Sequence, residues 1–132
     1  MALQFETTLR NGMMDQITTK VGTSGRLKLY SGTKPSTCAA ALSGNTLLVD
    51  IPCSSALAAA AASGVLTLNA LTETDSVASA TATFFRLTSS GGTCYVQGDV
   101  GVTGSDLNIN TTTIVSGGPI RINSATFTAP GA

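Results

Sequence analysis

The sequence predicts a mainly β fold: an antiparallel β-sandwich or jelly-roll-like domain with an N-terminal α-helix. Three observations carry this expectation. Apolar residues recur every four positions over the first twenty residues and then alternate with polar ones. Turn-forming clusters follow roughly every 8–12 residues, the rhythm of sandwiches and barrels. No strand–helix–strand alternation of the kind that builds a parallel sheet follows the first segment. The 132 residues fit one domain, with 1–22 as a helix or arm and 23–132 as the sandwich. A chain this long buries roughly two-thirds of its unfolded surface, enough for a core without staples. No internal repeat of usable fidelity is present.

Phe5, Leu9, Met13, Ile17 and Val21 form the helical stripe. Glu6 sits near the positive end of the helix dipole and Lys20 near the negative end, and Gly22 is the expected stop. Gly12 weakens the middle by about 1 kcal/mol relative to Ala. A narrow apolar stripe needs a cover, either the chain's own sheet or a neighbouring subunit. Phe5, Leu9, Met13 and Ile17 are therefore the candidate subunit-interface residues.

From Arg26 to Tyr30 the period is two, giving a strand with one wet face that stops at Ser31-Gly32. Residues 33–45 read as a loop, and 46–51 as a short apolar strand ending at Pro52. The alanine-rich stretch 53–64 fits either a helical turn or a small-residue loop. Residues 65–71 read as a strand, 73–76 as a turn, and 77–88 as one long strand. Ser89-Ser90-Gly91-Gly92 turns the chain into a strand over 93–103. Cys94, Val96, Val100 and Val102 line one side of it, and Tyr95, Gln97, Asp99 and Thr103 the other. Leu107 and Ile109 form a short strand that 111–116 extends, and Gly117-Gly118-Pro119 breaks it. In the last strand, 120–128, the apolar parity switches near Ser124, which a β-bulge explains.

The chemistry available is sparse. The chain has no His and no Trp, and 11% of its residues are charged. Without His, a serine or cysteine nucleophile lacks its usual base. One S-x-x-K spacing occurs, Ser31-Gly32-Thr33-Lys34, and it falls at the Ser-Gly stop of a strand and the loop after it, not on a helix that would set Lys34 beside Ser31. Lys20 and Lys28 have none. Asp99 and Asp106 flank one turn and Glu73 and Asp75 share another, where carboxylates ordinarily serve the turn itself. The chain is not expected to be an enzyme, and no catalytic residue, cofactor or metal site is assigned. Gly98, Gly101 and Gly104 lack the spacing of a phosphate-binding loop and suit a bulge or a close strand crossing. Tyr30 and Tyr95 are the two aromatics available for stacking on a sugar ring. Asn110-Thr111-Thr112 matches a glycosylation sequon by chance.

Seven basic residues balance seven acidic ones. That neutrality argues against nucleic acid, because counterion release needs clustered Lys and Arg. It favours association with other protein, and the Thr-rich, low-charge strands suit an interface core. The longest apolar run, 56–62, falls far short of the ~20 residues of a membrane span. Residues 1–10 have no apolar signal-peptide segment, so assembly in a cytoplasm is expected. Cys38, Cys53 and Cys94 are expected as reduced thiols, with a Cys38–Cys53 bridge left open.

Several segments are familiar. Met1-Ala2-Leu3-Gln4-Phe5, Thr7-Thr8-Leu9-Arg10-Asn11, Leu29-Tyr30-Ser31-Gly32 and Cys38-Ala39-Ala40-Ala41 occur in this order. Phe85-Arg86-Leu87, Cys94-Tyr95-Val96-Gln97-Gly98 and Phe127-Thr128-Ala129-Pro130 follow. Together they resemble a group of small tailed-bacteriophage virion structural proteins over nearly the whole chain, with residues 56–62 the most divergent. The resemblance implies a capsid decoration or cement protein on the capsid surface, bound to the major capsid protein where subunits meet. It also implies a homo-oligomer, as a trimer, with no nucleic acid and no membrane as partner. A tail, neck or fibre component is the alternative from the same virion, and a carbohydrate-binding adhesion module is a third reading.

Overall fold

The computed structural model describes residues 3–54 and 57–129. Met1, Ala2 and Pro130 of the resembling segments, and Ser55 and Ala56 of the alanine-rich stretch, lie outside the described residues. The fold is mainly β with one N-terminal helix, as the sequence predicts. Helix α1 spans Thr7–Val21. The strands are β1 (Arg26–Tyr30), β2 (Leu47–Pro52), β3 (Val65–Thr67), β4 (Thr74–Asp75), β5 (Ala80–Thr81) and β6 (Phe84–Thr88). They continue as β7 (Cys94–Gly101), β8 (Leu107–Ile109), β9 (Thr113–Ile114), β10 (Pro119–Ile120) and β11 (Ile122–Thr128).

Seven strands form one sheet in the order β2-β1-β6-β7-β8-β11-β3, and β10-β4 and β5-β9 form two small ladders. Neighbours are antiparallel except β7 and β8, which run parallel through Val100↔Leu107 and Gly101↔Asn108. The sheet is strongly curled. Phe85 of β6 stacks on Phe127 of β11 at 5.8 Å between ring centroids, although three strand spacings separate them in the order. On a flat sheet that separation is about 14 Å. Inside the curl, Leu27, Leu29, Leu48, Ile51, Leu66, Leu87, Leu107 and Ile109 form the buried core. Ile114 and Ile120 of the small ladders join the same cluster.

The helix docks on its own sheet, with a different face from the one its four-residue repeat suggests. Arg10, Met14 and Val21 are buried and Ile17 packs against the core, whereas Leu9 and Met13 face outward. The reason is geometric. A four-residue step advances 400°, so a stripe with that spacing drifts about 40° at each step in a helix of 3.6 residues per turn. Its C-terminal members reach the sheet and its earlier ones rotate away. Glu6 caps the helix by accepting the Leu9 N–H at 3.1 Å. Gly22, at φ 79°, ends it with its N–H on the Thr18 carbonyl, as expected.

Other elements depart from the sequence reading for local reasons. The expected strand over 77–88 is split: Ala80–Thr81 pairs with β9, and Thr83 then redirects the chain by donating its N–H to the Tyr30 carbonyl. Its hydroxyl donates to the Gly32 carbonyl at 2.6 Å. The 73–76 turn contains β4, whose partner β10 begins at Pro119, so the Gly-Gly-Pro break itself enters a ladder at its edge. The strand expected over 65–71 is ladder only at Val65–Thr67. Val102, expected on the apolar side of its strand, lies beyond β7 and is half-exposed. The hairpin of β6 and β7 and the shift of register between Ile122 and Ser124 follow the sequence reading. The described part of 53–64 is a loop rather than a helix. Asp15 Oδ1 accepts the Ala61 N–H at 2.8 Å and Asn11 Oδ1 accepts the Gly64 N–H at 2.7 Å, so polar side chains of α1 hold it.

All five residues of β6 are buried, on both faces. Phe85 and Leu87 enter the core, while Phe84 stacks on Tyr30 at 5.3 Å on the other side. That outer face is crossed by the 33–45 loop. Arg86 donates to the carbonyls of Ala40 (2.8 Å) and Thr37 (3.3 Å), and Gln97 donates to the Pro35 carbonyl (2.8 Å). Lys34 pairs with Asp99 at 3.1 Å. Cys38 and Cys94 form a disulfide that fastens the same loop. The expectation of three reduced thiols is thereby corrected, and so is the Cys38–Cys53 alternative. The loop's polar ties to β6 and β7 bring Cys38 to the start of β7, and Cys53 stays a half-buried free thiol at the end of β2.

Candidate interaction surface

The four predicted interface residues are not brought to one face. Ile17 is committed to the protein's own core, and Phe5 is half-buried. Leu9 is 53% exposed and Met13 36%, and Leu3, just ahead of the helix, is 74% exposed. The outward side of α1 therefore carries an apolar pair one turn apart, Leu9 and Met13, that is open to solvent among the described residues.

What holds that pair in place is a set of contacts on the opposite side of α1. The buried Arg10 reaches across to donate Nη2 to the Ala129 carbonyl at 2.8 Å. Its guanidinium lies where a side chain at Gly64 would stand, and Gly64 has φ 73°. Only glycine combines that left-handed backbone with the required space. The hydrogen bonds that the loop N–H groups of Gly64 and Ala61 donate to Asn11 and Asp15 complete the attachment. Main-chain N–H groups of Thr8 and Leu9 hold the Glu6 carboxyl below its ordinary value, as expected for a capping acid.

Two further apolar sites are exposed. Val77 and Val115 are each 65% exposed, on two segments joined where the Ser76 hydroxyl donates to the Val115 carbonyl at 2.6 Å. Leu42 on the strapping loop and Tyr95 on β7 are both partly exposed. Sequence reasoning did not single out Val77 or Val115, because each reads as an ordinary strand residue, whereas both lie just outside the two-residue ladders.

The other singled-out residues have structural work. Tyr30 is buried under Phe84 and its hydroxyl pKa is pushed up by burial, with Asp50 adding to the rise and Arg86 opposing it. It cannot serve as half of a sugar-stacking platform. Asp106 accepts the Asp99 N–H at 3.0 Å, and Glu73 pairs with Arg121 at 3.3 Å. Asn110 accepts the Arg121 N–H and donates to the Pro119 carbonyl, which ties the turn before β11. At Gly98 a side chain would stand 2.7 Å from Asp106 Oδ2 and 2.9 Å from Phe85, the close crossing its position suggests. Burial raises the Cys53 thiol to about 11, with Arg26 opposing and Asp50 adding to the rise.

Among the described residues no helix is long and apolar enough to cross a membrane, and no group of three metal-binding side chains converges. Comparison with protein-family models, with curated proteins and with solved structures finds no match to this chain.

Proposed function

We propose that this protein is a structural component of a tailed-phage virion, a capsid decoration or cement protein that binds the outside of the assembled head across subunit boundaries. The observation that carries the reading is the outward side of α1. The helix buries Arg10, Met14 and Val21 and packs Ile17 against the core, and still presents Leu9 and Met13 to solvent, with Leu3 exposed just ahead of it. A low-charge apolar pair on a braced helix meets another protein without stranding charge in the interface. The segments that resemble small phage virion proteins supply the partner, the major capsid protein, and the expectation of a homo-oligomer, as a trimer.

The mechanism is mass action. A protein that binds the closed shell and not its separated subunits stabilises the shell in proportion to occupancy. Repeated sites on a lattice multiply the effect of weak contacts. The experiment compares particles with and without this protein under heating and osmotic shock. Particles lacking it should burst at lower temperature, and adding the purified protein back should restore the difference. Equal bursting temperatures overturn the cement reading. Labelling on the tail rather than the head would assign the protein to the tail, neck or fibre instead.

A further inference from the structure

We propose that the gap between β7 and β11 is a strand-addition slot that takes an extended segment of a partner protein with a lysine or arginine at one end. The proposal rests on main-chain geometry and does not depend on the cement reading. Strand β8 separates β7 from β11 for three residues only, from Leu107 to Ile109. Ahead of Leu107, where β8 begins, a cleft of about 470 Å³ continues the line of the strand. One wall is Val96 to Gly98 of β7 and the other Thr126 to Thr128 of β11. At Leu107, flanked by Val100 and Ala125, β7 and β11 stand two strand spacings apart, about 9.5 Å, the width that admits one strand.

The walls turn hydrogen-bonding groups into that space. The Val100 N–H bonds back to the Thr83 carbonyl, whereas the Asp99 N–H points the other way, to Asp106. Strand alternation then directs the N–H and C=O of Gln97 away from β6 and into the gap. On β11, the Ala125 carbonyl accepts from Leu68 and the Ala129 N–H donates to Gly64, so residues 125, 127 and 129 face β3. The main chain of Thr128 therefore faces the gap. No backbone hydrogen bond between described residues crosses from Gln97 to Thr128. The outer edges of the sheet are treated differently. Val77 donates to the Leu48 carbonyl beside β2, and Ala62 pairs with Val65 beside β3.

The remaining chemistry defines the occupant. The stacked Phe85 and Phe127, with Met14 and Ile17 of α1, form an apolar inner side. A strand in the slot presents alternate small apolar side chains to them and polar ones to solvent. Gly98 keeps the β7 wall free of a side chain where Phe85 and Asp106 approach. The exposed Asp106 carboxylate stands at the closed end of the cleft. Its neighbour Asp99 is already paired with Lys34, and Asp106 has no ion-pair partner among the described residues. A cationic side chain on the incoming strand completes that end.

The test uses the full-length protein and three synthetic hexapeptides. The first is Lys-Val-Thr-Val-Thr-Lys with blocked ends, the second carries Glu in place of both Lys, and the third is the first with alternate amides N-methylated. Amide hydrogen exchange at Gln97 and Thr128 is followed by NMR. The first peptide, at about 1 mM, should slow exchange at both positions by about tenfold. The Glu peptide should protect less, and Asp106→Asn should remove the difference between the two. The N-methylated peptide should give no protection, because it cannot complete the ladder. Unchanged exchange with the first peptide, or equal protection by the N-methylated one, overturns the proposal. So does a sedimenting oligomer in which both amides are already protected, since a second copy then fills the slot. Particle stability plays no part in these readings, so this proposal and the cement reading fail separately.

Discussion

Cys38 and Cys94 are 56 residues apart in sequence, and their Cα atoms lie 5.5 Å apart across a disulfide. The bond fastens the 33–45 loop over the outer face of β6 and β7, beside the polar ties made by Lys34, Pro35, Thr37 and Ala40. The loop thus acts as a strap across the face that carries Arg86, Gln97 and Asp99.

Cutting the strap's covalent tie should destabilise the protein without unfolding it. A bridge closing a loop of this length contributes about 4 kcal/mol in the chain-entropy model, and the polar ties that remain argue for a measured loss of about 2–4 kcal/mol. Urea unfolding of Cys38→Ser, and of the native protein with and without reductant, reads this directly. An unchanged midpoint under reduction would show that the bridge contributes nothing.

Arg86 should matter more than an exposed arginine. It is buried, and its guanidinium bonds Gln97, Ala40 and Thr37 at once. Lysine cannot reproduce that fork. Arg86→Lys should cost about 1.5–3 kcal/mol. Combined with Cys38→Ser, its effect should be non-additive, because both act on one loop. Additive losses in a double-mutant cycle would mean that the two ties hold the strap independently.

Adjacent methionines on α1 should behave oppositely. Met14 is 8% exposed and Met13 36%. Met14→Ala should cost about 2 kcal/mol or more, as for buried methionines generally. Met13→Asp and Leu9→Asp should change stability by less than about 0.5 kcal/mol. The same two variants should weaken binding to the proposed shell partner. Thermal melts and a capsid-binding assay separate the outcomes, and a large melting shift in Met13→Asp would contradict the docking of the helix.

Cys53 supplies a pH-dependent signature. Its pKa rises from 9.0 to about 11 because burial disfavours the thiolate. The native state therefore holds the proton more tightly than the unfolded chain does. Its favourable contribution is fully present below pH 9 and is lost as pH rises through 11. At pH 8 the native thiol should alkylate about a hundredfold more slowly than in the unfolded protein, on thiolate population alone. Equal rates in native and denaturing buffer would refute the burial of this group.

The sequence by itself determined the local elements. The two-residue period of Arg26–Tyr30, the turn at Ser89 to Gly92, the β6–β7 hairpin and the parity switch near Ser124 follow from strand geometry and glycine chemistry, which act over a few residues. It also located the helix and its glycine stop. It did not determine which face of α1 docks, since a four-residue repeat drifts around the helix and only the sheet selects the face that fits. Nor did it determine the Cys38–Cys94 pairing, the split of 77–88 or the gap beside β8. Those depend on pairings between segments tens of residues apart, and the curl of the sheet, rather than any local preference, brings those segments together.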